Sequence, residues 1–156
     1  MSDSDLRPKL GEFNSIICFK AAVVGMEDAL GPQGAKIALT SAGRRRGQDL
    51  VASLGLEPGM PLSDAVAKMG EALGPDGTKL CIIEGVEEVD EAIRVFVAET
   101  VCMAGEPMGT DRECSFTLGA VHGALEALTG RKLKGRHVES PWRGDPKDVF
   151  EFTDRI

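Results

Sequence analysis

One tryptophan, two histidines and four cysteines in 156 residues are small stocks, and each shortage removes a class of activity. With only His122 and His137 present, acid/base chemistry near neutral pH has few side chains to use. Cys18, Cys81, Cys102 and Cys114 are widely spaced and form no C-x-x-C pair. They suit a reducing compartment, as small apolar residues, better than a disulfide framework. No G-x-G-x-x-G follows a strand pattern, so no nicotinamide or flavin site of the usual kind is encoded. No stretch approaches the ~20 apolar residues that span a bilayer, and the start, Met1 to Pro8, lacks the apolar core of a signal peptide. A cytoplasmic protein with no membrane span is expected.

Basic charge is also scarce. Eighteen Lys and Arg against twenty-five Asp and Glu give a formal charge of -7, which repels a phosphate backbone and excludes nucleic acid as the expected partner. The runs Arg44 to Arg46 and Arg131 to Arg136 lack the interleaved aromatics of a strand-stacking surface and read as solvated faces.

What is present is a hydrophobic fraction of 42%, enough for one core and one domain. Residues 1–12 are expected to be a flexible segment and residues 13–156 the domain. From Asn14 to Leu30, apolar residues at Ile16, Phe19, Val23, Met26 and Leu30 recur at helical spacing. Ile17, Ala21 and Val24 widen the stripe, which predicts a well-buried helix. Gly31-Pro32 ends it, and a second helix presents Leu39, Gly43, Gly47, Leu50 and Leu54 on one face. Its two glycines imply close packing against another helix. Leu62, Val66, Met69 and Leu73 mark a third helix with Ser63 as its N-cap. The hexapeptide Ala-Leu-Gly-Pro-x-Gly closes both the first and the third helix, which reads as shared turn chemistry.

After Gly77 the period changes. Lys79 to Val86 and Ala92 to Val101 predict two strands, with an acidic turn holding Glu84, Glu87, Glu88, Asp90 and Glu91; its spacing does not match a calcium loop. Ala104 to Arg112 reads as a flexible segment. A fourth helix carries Cys114, Leu118, Val121, Leu125 and Leu128 in one stripe, with Gly119 and Gly123. Leu133 to Ser140 and Lys147 to Thr153 predict two more strands, linked by a loop that contains Trp142. This order suits an α+β fold: a four-stranded antiparallel sheet with its helices mostly on one face, unlike a βαβ nucleotide fold.

Cys114 with His122 or His137 is the only pairing that could make an activated nucleophile. Eight residues place His122 about 80° around the helix from Cys114 and two turns along it, out of hydrogen-bond reach. No catalytic residue is assigned, and a non-enzyme is expected.

The second half carries a pattern of its own: Cys114, Gly119, Gly123-Ala-Leu-Glu-Ala-Leu-Thr-Gly130, His137-Val-Glu-Ser140 and Gly144-Asp145-Pro146-x-Asp148-Val-Phe150. It resembles the 4-vinyl reductase domain family, a hydrocarbon-binding domain similar in fold to subunits of the TRAPP vesicle-tethering complexes. The resemblance covers about residues 82–152, and Ala42-Gly43, Gly47, Leu50 and Leu54 extend it less specifically. It implies a pocket for a small apolar or aromatic molecule and frequent dimerisation. Val23, Val24, Met26, Phe96, Leu118 and Val121 are the candidate lining. It also implies a zinc pattern, which here falls on Cys114, His137, Ser140 and Asp148 with only the first ligand kept. Because serine is a poor ligand and a lone thiolate makes a weak structural site, a hydrogen-bonded cluster without an ion is the preferred reading. No cofactor is assigned, with zinc as the alternative. The function expected is a sensor or carrier of a small apolar ligand, as a homodimer. The alternative is an adaptor that binds a protein partner, accessory to tetrapyrrole or pigment-protein biogenesis. An adaptor should expose an apolar patch, for which the loop around Trp142 is the candidate.

Overall fold

The computed structural model describes residues 7–155, so the first six residues of the expected flexible segment 1–12 lie outside the described residues. The elements run α1 (Ile16–Leu54), α2 (Leu62–Leu73), β1 (Ile82–Val89), β2 (Ala92–Ala98), α3 (Ser115–Thr129), β3 (Leu133–Glu139) and β4 (Asp148–Asp154). Short 3-10 turns occupy Val101–Met103 and Pro141–Arg143. The four strands form one antiparallel sheet in the order β1-β2-β4-β3.

Strand alternation decides which side meets the helices. Ile93, Val95 and Val97 of β2, with Phe150 and Phe152 of β4, turn to one face and pack on Leu118, Val121 and Leu125 of α3. Each of these fully buried side chains contributes about 1.5–3 kcal/mol. The other face is polar, with Arg94 bridging Glu139 and Glu151. A second apolar cluster joins Leu50 and Val51 of α1 to Met69 and Leu73 of α2 and Leu128 of α3. Among the described residues no helix is long and apolar enough to cross a membrane.

Inside α1 the backbone leaves the helical region at Gly31, with φ 77° and ψ 163°. This φ falls where only glycine is unstrained, and Pro32 then restarts the helix at its first position, where the missing N–H costs nothing. The chain turns back there: Val23 and Glu27 share one cavity with Ala35 and Leu39, and Ile16 and Phe19 share a cleft with Arg46. The second Gly-Pro-x-Gly behaves differently, because Gly74 is extended and the Thr78 N–H closes back on the Ala72 carbonyl, ending α2. Identical turn residues thus make a corner in one place and a stop in the other.

The glycine step works as close helix packing. A Cβ on Gly43 would lie 2.1 Å from the Phe116 carbonyl oxygen, and one on Gly47 2.0 Å from that of Ala120. Gly119 and Gly123 meet the Thr40 and Arg44 carbonyls in the same way.

Several expectations are corrected. The arm 16–30 is not well buried: Val23 is its only buried residue, while Ile17 is 76% exposed and Val24 44%. Ser63 lies in the first turn of α2, whose N-cap is Pro61. Glu84, Glu87 and Glu88 belong to β1, and the turn is only Asp90-Glu91, both with positive φ as a two-residue hairpin requires. β2 stops at Ala98 because the chain bends at Glu99, φ 51°, into the 3-10 turn. Trp142 is half-buried, with its indole N–H donated to the Glu106 carbonyl at 2.9 Å, so it is not a bare surface residue.

Candidate functional site

Two features lie side by side at the N-terminal end of α3. The first is a buried polar cluster. Cys114 precedes the helix, His137 comes from β3 and Asp148 opens β4, and their ligand atoms all lie within 4.8 Å of one another. The backbone N–H of Cys114 donates to His137 Nδ1 at 3.3 Å. That fixes the tautomer, so His137 Nε2 donates to Asp148 Oδ1 at 2.7 Å. The His137 ring also stands edge-on to Phe150, 5.1 Å between centroids.

The cluster extends through sulfur. Cys114 Sγ lies 3.1 Å from the Thr100 hydroxyl and shares a hydrogen bond with Cys102. That bond, then burial, then the nearby negative charge of Cys102 and Asp148, hold the Cys114 thiol well above its ordinary pKa. Cys102 moves the other way. Hydrogen bonds from Cys114, the Thr117 hydroxyl and the backbone N–H groups of Thr117 and Phe116 lower it against the effect of burial. Cys102 Sγ lies 3.5 Å from the Thr117 hydroxyl at the start of α3, a helix whose N-cap, Cys114, makes no side-chain cap bond.

The zinc pattern is brought together only in part. Ser140 is buried, but its Oγ accepts the Trp142 N–H at 3.4 Å as the cap of the 3-10 turn, and its own N–H goes to Asp145. Of the other three, His137 Nε2 is engaged by Asp148 and His137 Nδ1 by the Cys114 backbone N–H, while the Cys114 Sγ faces the Thr100 hydroxyl, so the set offers one sulfur and no fourth ligand. The residues present do not fit a structural zinc site, which needs a thiolate-rich set of four.

The second feature is an apolar cleft of about 750 Å³. Phe13, Ile16, Phe19 and Ala22 form one wall; Leu80, Val101 and Phe116 form the other. Phe19 and Phe116 meet edge to face, 5.5 Å between centroids. Its volume falls within the range of small-molecule sites. Val101 and Phe116 adjoin Cys102 and Ser115 in the chain, so the polar cluster braces this wall from behind. Lys20 crosses below, its ammonium 2.8 Å from Glu106 and 2.9 Å from the Cys102 carbonyl.

The candidate lining residues do not assemble around this cleft. Val121 is wholly buried in the core between α3 and the sheet. Leu118 reaches a groove beside β3, and Val23 a smaller cavity of about 320 Å³ near Gly31. Val24 points outward. Met26 is half-buried and lines none of these spaces. Phe96 sits on the polar face of the sheet, with Arg94 and Lys147 over its ring, because it alternates with Val95 and Val97. The cleft walls that sequence reasoning missed, Phe13, Leu80 and Val101, lie outside the helical stripes that guided it.

No family model and no curated protein matches this sequence. Solved structures do match at the level of fold. A crystal structure of the phenol-responsive sensory domain of the transcription activator PoxR with phenol aligns with TM-score 0.69 at 12% identity, over 92% of this chain and 76% of that one. A trafficking protein particle complex subunit 3 from Naegleria fowleri, covalently bound to palmitic acid, aligns with TM-score 0.58 at 12% identity, over 90% and 93%. A vinyl-4-reductase family protein from Methanocaldococcus jannaschii aligns with TM-score 0.51 at 18% identity, over 95% and 86%. The chain therefore has the fold of the vinyl-4-reductase and TRAPP-subunit proteins.

Proposed function

We propose that this protein is a non-enzymatic binder of a small apolar or aromatic molecule, held in the cleft between the arm 16–30 and the wall of Leu80, Val101 and Phe116. The observation that carries this reading is the cleft: aromatic and aliphatic on both walls and of ligand size. Its support from outside is that two proteins of the same fold were crystallised with phenol and with palmitic acid. The test is amide chemical-shift mapping with phenol and toluene as probes, joined to native mass spectrometry of protein purified from its own host. Shifts centred on Phe19, Leu80, Val101 and Phe116, lost in Phe116→Asp, are expected. An unliganded mass together with no saturable shifts would sink the proposal.

A second reading, an adaptor that binds protein, draws on the exposed outer face of α1. Ile17 and Val24 of the arm 16–30 are 76% and 44% exposed there. A homodimer formed through that face is compatible with ligand binding, since the cleft opens on the other side of the same arm.

A further inference from the structure

We infer that the free edge of β3 is a docking site for an extended acidic segment of a partner protein, which adds a fifth strand to the sheet. This site is separate from the apolar cleft and does not depend on the reading given to it.

β3 is an outer strand of the sheet. The Arg155 N–H donates to the Lys132 carbonyl, and the register pairs Lys134 with Thr153 and Arg136 with Glu151. In an antiparallel ladder the pairs that exchange bonds alternate, so 134 and 136 bond inward and 133, 135 and 137 turn their N–H and C=O outward. The protein caps part of this edge itself. The Leu133 N–H goes to Glu126 Oε2 at 2.7 Å and its carbonyl takes His122 Nε2 at 2.7 Å. The His137 carbonyl takes the Arg143 guanidinium at 3.2 Å. Between these caps, the N–H and C=O of Gly135 and the N–H of His137 face a groove of about 550 Å³.

The groove has the shape of a missing strand. Lys36 and Thr40 of α1 and Leu118 of α3 line it together with every residue from Leu133 to Val138, so the helix layer overhangs the sheet beyond its last strand. Its charge selects the occupant. Lys36, Lys134, Arg136 and Arg155 line it against one carboxylate, Glu113, in a protein of formal charge -7. Glu113 is already paired with Lys36 at 2.6 Å, and Arg136 reaches Glu151 only at 3.4 Å. Lys134 and Arg155 have no ion pair among the described residues. Two copies meeting edge to edge through β3 would oppose Lys134 and Arg136 to their own kind, which disfavours self-association here. An extended chain with alternating carboxylates would instead meet the basic groups while its backbone satisfies Gly135 and His137. That combination is the usual physics of strand addition.

The experiment uses the full chain and fluorescein-labelled peptides with the repeats Glu-Val and Lys-Val, read by anisotropy, with hydrogen exchange of the Gly135 and His137 amides. The Glu-Val peptide is expected to bind and to slow exchange at both amides. Doubling the salt should weaken it several-fold, since exposed charges are screened. Lys134→Gln with Arg136→Gln, exposed positions that leave the core intact, should weaken it at least tenfold. A Glu-Val peptide N-methylated at alternate residues should lose binding by a similar factor. Equal binding of the Lys-Val peptide, indifference to the double variant, undiminished binding of the N-methylated peptide, or no binding would each overturn the inference.

Discussion

Replacing Gly43 by alanine tests the α1–α3 crossing on which the cleft depends. The added Cβ would stand 2.1 Å from the Phe116 carbonyl oxygen, 2.9 Å from the Ala120 nitrogen and 3.0 Å from the Gly119 Cα. All three are backbone atoms of a buried helix, so no side chain can swing away, and α1 must move by about 1 Å to restore ordinary contact. Such a shift loosens Leu39, Leu50 and Val51 together, and overpacking of this kind costs about 3 kcal/mol or somewhat less. In a domain of this length each kcal/mol moves the melting temperature by roughly 2–4 °C, so a fall of about 6–12 °C is expected. Gly25→Ala is the matched control. Nothing lies within 4 Å of its Cβ, and removing a helical glycine should add about 1 kcal/mol, a rise of about 2–4 °C. Calorimetry on both variants decides the matter. If Gly43→Ala melted with the wild type, the close approach of the two helices would be wrong. Because Phe116 lies at this crossing, the variant should also weaken phenol-induced shifts, whereas Gly25→Ala should leave them in place.

Breaking the polar cluster should be costly. Asp148→Ala leaves His137 buried without its acceptor and should destabilise by about 3 kcal/mol, while EDTA treatment of the wild type should leave its melting curve unchanged. A chelator-induced fall in stability would show that an ion holds the cluster. His122 titrates below its ordinary 6.5 because burial opposes the charged form more than Glu126 favours it. The unfolded chain therefore takes up the proton first. This contribution to stability is complete above about pH 6.5 and is lost as the pH falls through the folded value. His122→Gln should flatten that part of the stability profile, and an unchanged slope in urea titrations would refute the assignment. Cys18 is exposed, and the other three thiols are buried. Brief maleimide treatment of the native protein should therefore add one label by intact mass, and two or more would mean that the α3 end opens readily.

Much of this architecture was legible because period reveals burial. β2 alternates Ile93, Val95 and Val97 with Arg94 and Phe96, and the sheet honours that alternation. The glycine steps were legible for the same reason, since glycine inside a helix costs stability unless another backbone needs the room. The first arm was misjudged because periodicity reports an apolar face without saying what covers it: Ile17 and Val24 fit the stripe, yet among the described residues they stay 76% and 44% exposed. The cleft walls escaped for a different reason. Leu80 and Val101 fall at the ends of the two predicted strands but lie outside β1 and β2, and Phe13 precedes its helix, so only tertiary structure gathers them. The cluster was half legible. The resemblance placed Cys114, His137 and Asp148, but the diversion of Ser140 to a local turn depends on Trp142 and Asp145, which carry no signal of that role.

The two walls of the cleft are held with unequal strength, and this difference has a mechanical consequence. Val101 and Phe116 belong to the segment pinned by Thr100, Cys102, Cys114, His137 and Asp148, all buried. The facing arm is held at its inner side by one buried residue, Val23, by the Phe19 contact and by the ion pairs Lys20–Glu106 and Glu27–Arg112, whose side chains keep 12–28% exposure where those of the cluster are buried. A molecule that fills the cleft touches both walls, so its binding energy acts mainly on the position of the arm. The outer side of that arm carries Ile17 and Val24, the apolar surface open to a second copy. Ligand and partner would then share one helix, and whatever affinity the ligand adds to association, association must return to the ligand. Sedimentation equilibrium with and without saturating toluene measures this directly. If the chain dimerises through this face, a several-fold change in the dimer dissociation constant is expected, and Ile17→Asp should abolish the dimer. Equal constants would mean that the arm is as rigid as the wall it faces.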